Sequence, residues 1–236
     1  QYFKQIIMEF RNIDGLELLK TLPDNSIDFI LTDPPYELEI HGGGAGFMKD
    51  RKLLNKHISY IGYGFDFDTY FSEYERVLKV MNAVIFCSNK QVSKTMNWFE
   101  NKGYSVTLLV WKKPNPIPLG NGKYIGDTEF MVYVRGKGAT FNNIGYKEQL
   151  RVFEYNVPST AERIHPTEKP IDMLRRLLLI HTNENDVVLD TFAGSFTTGL
   201  ACHKENRKCI ASEIDEKMFI SANTRFKNET SQTQLF

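Results

Sequence analysis

Short hydrophobic runs recur along this chain with helical stretches between them, and that alternation limits the fold more than any other feature. The runs at residues 6–11, SIDFILT (26–32), NAVIFCS (82–88), YSVTLLVW (104–111), TEFMVYVRG (128–136), NDVVLDTF (185–192) and KCIASEID (208–215) read as strands. Between them, GLELLKTL carries Leu16, Leu18, Leu19 and Leu22 close to helical spacing and is stopped by Pro23. DFDTYFSEYERVLK, KQVSKTMNWFENKG (closed by Gly103), SFTTGLACHKEN and EKMFISANTRF are further helices. KPIDMLRRLLLIHT is opened by Pro170, a favourable residue for a first turn. Strand–helix alternation predicts an α/β fold with a mostly parallel, doubly wound sheet covered on both faces. The length of 236 residues suits one domain, 1–236. Residues 37–64, with HGGGAG and YIGYG, read as a long mobile loop with a short helix at MKDRKLLNK, and 139–165 read as irregular.

Several function classes are excluded early. The chain has no apolar run of about 18 residues, so no membrane partner is expected. QYFKQIIMEF lacks a signal-peptide pattern, and Cys87, Cys202 and Cys209 lack metal-ligand spacing. Reduced, buried thiols and a cytoplasmic location are expected, with no metal. Formal net charge is zero, but basic residues cluster locally: Lys49, Arg51, Lys52 and Lys56 in one loop, and Lys112, Lys113, Lys123, Arg135 and Lys137 around another. Local basic loops can follow a phosphate backbone while the rest of the surface stays neutral.

Two strand exits carry the chemistry. The run SIDFILT ends in Asp33-Pro34-Pro35-Tyr36. Each proline fixes its own φ and pushes the residue before it towards extended geometry. The exit therefore presents a carboxylate and bare carbonyls beside an aromatic ring, with little freedom to move. The second exit is Asp190, then Phe192-Ala193-Gly194-Ser195-Phe196, then Thr197 and Thr198 opening a helix. Such a turn lies at the carboxyl edge of a doubly wound sheet, where ligands bind. About 20 residues later the next strand ends in Glu213 and Asp215, placed to accept hydrogen bonds from ribose hydroxyls. The dinucleotide pattern G-x-G-x-x-G and the phosphate-loop pattern are both absent. A nucleoside without phosphates fits better, and S-adenosylmethionine is that ligand.

With both motifs in view, the chain resembles the amino-methyltransferases of DNA in their permuted, beta-group order. The resemblance spans GLELLKTLPDNSIDFILTDPPY, ERVLKVMNAVIFCS, LLVWKKPNPIP, TEFMVYVRGKG, IHPTEKPIDMLRRLL and ACHKENRKCIASEIDEKMFISANTRF. It implies a Rossmann-like methyltransferase fold, circularly permuted, in which the N-terminal run supplies the third strand of the cofactor half-sheet. It implies a cofactor site of Asp14 near the adenine, Asp33, Asp190, Phe192, Gly194, Ser195, Thr197, Thr198, Glu213 and Asp215. His165, Thr167 and Lys169 would lie at the methionine end, Lys169 as partner of the carboxylate. It implies double-stranded DNA as substrate, a homodimer, and the possibility of a cognate restriction nuclease. A target-recognition insertion is expected at about 112–163, with Lys112, Lys113, Asn115, Lys123, Arg135 and Lys137 as DNA contacts, and Lys147 and Arg151 as further candidates.

The same motifs give a mechanism. Asp33 and the Pro34 carbonyl can each accept one hydrogen of an exocyclic amine, freeing its lone pair for the sulfonium methyl group, while Tyr36 stacks on the flipped-out base. Asp33 favours adenine N6, since the cytosine N4 enzymes of this family usually carry serine at that position. Cytosine N4 methylation is the runner-up, and a binding-only subunit or the same chemistry on RNA are the other readings. Carbon-5 methylation needs a cysteine nucleophile in a setting that none of the three cysteines has. Phe196 stands where the family commonly has glycine. It is expected either to be strained at positive φ or to begin the helix and turn inward.

Overall fold

The central strands are apolar on both faces because both faces are covered. A computed structural model describes residues 7–35, 65–116, 124–159, 163–165 and 167–231. Among them lie strands β1 (Met8–Arg11), β2 (Phe29–Thr32), β3 (Asn82–Cys87), β4 (Ser105–Lys112), β5 (Thr128–Arg135), β6 (Val152–Glu154), β7 (Val187–Asp190) and β8 (Lys208–Ser212). The helices are α1 (Gly15–Thr21), α2 (Phe67–Val77), α3 (Asn89–Glu100), α4 (Ile171–His181), α5 (Thr197–Lys204) and α6 (Glu216–Ser231). Strand side chains alternate between faces. Phe29, Leu31, Val84 and Phe86 join Met173, Leu174 and Leu177 of α4, Cys202 of α5 and Ala222 of α6 in one core. Ile30, Ala83 and Ile85 join Leu18 and Leu19 of α1, Tyr70, Phe71 and Tyr74 of α2 and Phe99 of α3 in the other.

The eight strands form one sheet in the order β1-β8-β7-β2-β3-β5-β4-β6. The pairs from β1 through β3 are parallel, β5 is antiparallel to both β3 and β4, and β4 and β6 are parallel. The first strand lies beside the last, with Met8 opposite Cys209 and Arg11 opposite Ser212. The two ends of the chain thus complete one half-sheet, as the permuted reading expects. From β7 the chain winds one way to β8, and from β2 it winds the other way to β3. The crevice outside the carboxyl ends of β7 and β2 is therefore the topological switch point, the usual ligand position in open α/β sheets.

Two elements were not legible beforehand. The stretch read as irregular contains a 3-10 turn at Lys147–Gln149 and the edge strand β6. In β6 only Phe153 is buried, under the Arg176 guanidinium, so three residues give no alternation to detect. The loop 37–64 and its expected helix lie outside the described residues. All three cysteines are free and buried. No helix of the described residues is long and apolar enough to cross a membrane.

One buried group makes stability depend on pH. His181 ends α4, 3 % exposed, with its ring against Tyr133 at 4.2 Å and Phe29 at 5.2 Å. Among the described residues its Nδ1 makes no hydrogen bond. Burial, with the Arg135 guanidinium adding to it, pushes the imidazole down to about 3. The folded state keeps His181 neutral while the unfolded chain takes up a proton below about 6.5. The unfolded state then binds more protons, so stability falls as pH drops from 6.5 towards 3 and is complete above 6.5. Urea unfolding at pH 7.5 and pH 5 is expected to show a loss of about 2 kcal/mol from this group. In His181→Leu that share of the difference should vanish. An unchanged difference would refute the assignment.

Candidate active site

Strands β7 and β2 are neighbours, with Phe29 opposite Val188 and Ile30 opposite Leu189, so the two motifs leave the sheet side by side. Thr32 and Asp190, 158 positions apart, are joined by a 3.0 Å hydrogen bond from the Thr32 hydroxyl to the Asp190 carboxylate. Thr191 continues the network, its hydroxyl 3.3 Å from that of Thr32 and 2.6 Å from that of Tyr74. The Ser212 hydroxyl donates to the Thr191 carbonyl. Asp190 is buried, which pushes its carboxyl up to about 6. Hydrogen bonds from the Thr198 hydroxyl, the Phe192 amide and the Thr32 hydroxyl pull the other way.

The turn after β7 is built around positive φ. Gly194 has φ +49, with open space where a Cβ would stand. Its amide donates to Glu213 Oε2 at 2.9 Å, and the Asp215 amide donates to Glu213 Oε1 at 2.8 Å. Two backbone donors thus fix the carboxylate that ends β8 directly across the turn. Ser195 and Thr197 share a 2.8 Å hydroxyl contact, and both are buried with Thr198. Phe192 lies partly exposed in a ring cluster with Phe65 and Tyr70. Asp215 accepts from the Met218 amide and so caps α6.

Phe196 takes the positive φ of the first reading and the inward ring of the second, without beginning the helix. It takes φ +57 as the residue before α5, and its ring turns inward, 2 % exposed. The ring stacks on Phe10 at 4.2 Å with planes 7° apart and meets Phe226 at 5.1 Å. Asp14 follows β1 and caps α1, its Oδ1 accepting from the Leu16 and Glu17 amides. A Cβ on Gly15 would stand 2.8 Å from the Thr191 carbonyl, so α1 is pressed against the turn and brings Asp14 to the same edge.

On the other side of the crevice, Asp33 leaves β2 with its Oδ2 2.7 Å from Lys169 Nζ. Lys169 Nζ is also 2.9 Å from Glu129 Oε2, and Glu129 Oε1 is 2.7 Å from Lys113 Nζ. Burial raises the Glu129 carboxyl, but Lys169 and Lys113 outweigh it and hold the group below the usual carboxylate range. Burial lowers Lys169, and Asp33 and Glu129 outweigh that in turn, leaving it raised. Pro35 is fixed from α3, where Gln91 Nε2 donates to its carbonyl at 2.9 Å. The Gln91 carbonyl in turn accepts from the Ser88 amide and hydroxyl. His165 and Thr167 form a local turn, with Thr167 Oγ1 3.0 Å from His165 Nδ1. Glu168 ties this block to α6 through Arg225.

The expected DNA contacts divide. Lys112, Lys113 and Asn115 lie at the same sheet edge as Asp33, because β4 ends there. Lys112 is exposed beside Glu154, whereas Lys113 is largely buried against Glu129. The Asn115 side chain exchanges two hydrogen bonds with the Val157 backbone and so holds that segment. Arg135 and Lys137 lie away from this group. Because β5 runs antiparallel, Arg135 pairs with Asn82 and Ser105 at the opposite edge, over Phe141, and Lys137 follows it there. Within 112–163, β5 and β6 belong to the main sheet. Tyr36 and Lys123 lie outside the described residues. Among the described residues no three His, Cys, Asp or Glu side chains are placed to hold a metal ion.

Sequence reading missed Glu129 and Gln91. Glu129 has only a weak signal, an acid at the start of an apolar strand. Gln91 has a better one, the S-x-x-Q spacing of a capping box at Ser88.

The arrangement has known counterparts. The sequence model of a DNA methylase family matches residues 27–224. The type II methyltransferase M.HinfI of Haemophilus influenzae is 27% identical over 253 residues, covering 95% of this chain and 70% of that protein. M.HpaI of Haemophilus parainfluenzae, also a type II methyltransferase, is 27% identical over 238 residues, covering 92% and 73%. The crystal structure of the M1.HpyAVI–SAM complex superposes with a TM-score of 0.70 at 28% identity, covering 93% of this chain and all of that one. The cytosine-N4-specific PvuII DNA methyltransferase shares the fold, with a TM-score of 0.69 at 18% identity, covering 92% and 85%.

Proposed function

Because the chain belongs to the N6/N4 DNA methylase family, whose members are S-adenosylmethionine-dependent DNA methyltransferases, we propose that it methylates the 6-amino group of adenine in double-stranded DNA. The observation that carries the choice of base is the carboxylate of Asp33 at the exit of β2, buried on one side and ion-paired to Lys169. S-adenosylmethionine supplies an electrophilic methyl group on a sulfonium. The chain's own residues fit that cofactor. Glu213, held by two amides across the Gly194 turn, is oriented to accept from the ribose hydroxyls. Asp14 stands at the neighbouring strand end for the adenine, and Phe192 offers a ring face. Ser195, Thr197 and Thr198 surround the turn with hydroxyls, and Asp190 stiffens it from below. Asp215 contributes through its cap on α6, and His165 and Thr167 belong to the side nearer Asp33.

Asp33 and the Pro34 carbonyl each accept a hydrogen bond from one N–H of the base amine; as the N–C bond forms, the S–C bond of the sulfonium breaks, the thioether leaves and the amine loses one proton. The amine lone pair is otherwise delocalised into the ring, and two fixed acceptors favour a more tetrahedral nitrogen as charge develops. The prolines and Gln91 hold these acceptors still, so little reorganisation is needed during reaction. Tyr36 stacks on the flipped base, and Lys112 meets the DNA backbone. The designation of the relatives as type II methyltransferases supports a modifying role beside a cognate nuclease.

The test is methyl transfer from labelled S-adenosylmethionine to unmethylated DNA, followed by digestion and identification of the nucleosides by mass. N6-methyladenine is the expected product. N4-methylcytosine would keep the family mechanism and overturn the assigned base. Bound cofactor with no product on DNA would overturn the proposal in favour of a binding-only subunit or an RNA substrate.

A further inference from the structure

The HPTEKP lysine has two possible clients, and the geometry favours one. The sequence resemblance gives Lys169 to the carboxylate of the cofactor. In the structure its side chain is 7 % exposed and its ammonium sits between two carboxylates, Asp33 at 2.7 Å and Glu129 at 2.9 Å. The Phe86 ring lies 4.9 Å from the ammonium, an apolar floor that raises the cost of leaving the charge uncompensated. Lys113 closes the series at 2.7 Å from Glu129, and its ammonium lies 4.9 Å from the Trp111 ring.

The four groups alternate in sign: Asp33, Lys169, Glu129, Lys113. Their charges sum to zero, which is how a buried ionic series avoids a net desolvation penalty. They come from four separate segments: the exit of β2, the approach to α4, the start of β5 and the end of β4. Such a series is rigid because moving one member strands the next. A third carboxylate brought to Lys169 would have to compete for one ammonium that two carboxylates already hold, at 2.7 and 2.9 Å. The cofactor's methionine end carries its own α-ammonium beside its carboxylate, so that carboxylate does not arrive uncompensated and does not need Lys169.

We propose that Lys169 is the positioning residue of the acceptor Asp33, and that Glu129 and Lys113 hold Lys169 in that role. An ion pair to Oδ2 sets the plane of the Asp33 carboxylate while leaving it acceptor capacity, since an ionised carboxylate offers about four lone-pair sites. Lys169 thereby serves the amine of the base, not the carboxylate of the cofactor. The inference rests on the reading of Asp33 as the acceptor.

The experiment compares full-length wild type, Asp33→Ala, Lys169→Met, Lys169→Arg, Glu129→Gln and the Asp33→Ala/Lys169→Met double variant. Cofactor affinity is read by calorimetry with S-adenosylmethionine, and methyl transfer to DNA is read at saturating cofactor. Lys169→Met is expected to slow transfer by about tenfold or more with cofactor Kd within about twofold. Lys169→Arg should recover part of the rate, Glu129→Gln should show a smaller loss of the same kind, and the double variant should be no slower than Asp33→Ala alone. If Lys169→Met does not fold, Glu129→Gln against Lys113→Met carries the same comparison further along the series. A raised cofactor Kd with an unchanged saturated rate would overturn the proposal and return Lys169 to the cofactor. An Asp33→Ala enzyme with wild-type transfer would instead overturn the acceptor reading itself. An inactive Asp33→Ala beside an unimpaired Lys169→Met would overturn only the present inference.

Discussion

Asp33→Ala is expected to lower methyl transfer by about 10²–10³-fold while cofactor binding and the fold survive. The magnitude follows from removing one preorganised acceptor aimed at developing charge, a loss of about 3–4 kcal/mol in the transition state. The fold should survive the change with some loss of stability: Lys169 and Lys113 would then share one carboxylate, but Lys169 keeps Glu129 as a partner and the Asp33 side chain is 27 % exposed. Asp33→Asn separates shape from charge. Its amide oxygen would turn to Lys169, leaving an NH₂ group to face the base amine, so a donor would replace an acceptor. Asparagine is therefore expected to be as inactive as alanine despite its near-identical volume. Single-turnover rates at saturating cofactor decide the matter. Substantial activity in Asp33→Asn would mean that position alone, and not acceptor character, matters at this site.

How the site is assembled explains what could be read beforehand. The two motifs are far apart in the sequence, yet each ends a hydrophobic run, and a doubly wound sheet collects strand ends at one edge. That rule brings Thr32 to Asp190 without any knowledge of the pairing. The permuted order was legible for a similar reason: a half-sheet of β7 and β8 lacks a neighbour, and the first run of the chain supplies one. Strand direction was not legible. A hydrophobic run such as TEFMVYVRG looks the same whichever way it is laid in the sheet, so sequence alone does not say at which edge Arg135 and Lys137 lie. The reversal of β5 sends them to the far edge and brings Glu129 to the near one. Glu129 was overlooked because a single acid beside a strand resembles ordinary surface, and only its lysine partners, drawn from two other segments, reveal it. Asn115 illustrates a different limit, since a polar side chain in a loop can serve the backbone across from it as well as a nucleic acid.

Phe196 and Gly199 form a pair in which each dictates the other. A Cβ on Gly199 would stand 2.2–2.5 Å from three ring atoms of Phe196, well inside any real contact. The ring cannot step aside, because Phe10 lies parallel to it at 4.2 Å and Phe226 meets it at 5.1 Å. Gly199→Ala is therefore expected to destabilise the protein by about 1–3 kcal/mol through overpacking. For a chain of this size that corresponds to a fall in Tm of roughly 2–12 °C. Phe196→Gly removes the ring and should cost about 3–5 kcal/mol for the lost burial and cavity, offset by about 1 kcal/mol because glycine accepts φ +57 without strain. In the Phe196→Gly background the obstacle to a Cβ at 199 is gone. Gly199→Ala should then stabilise, because alanine favours the α5 helix by about 1 kcal/mol over glycine and fills part of the cavity. The same substitution thus changes sign with its neighbour, a coupling that a thermodynamic cycle of melting curves reads directly. Additive effects in that cycle would show that the ring yields to the methyl group, and that the Phe10–Phe196 stack does not fix it in place.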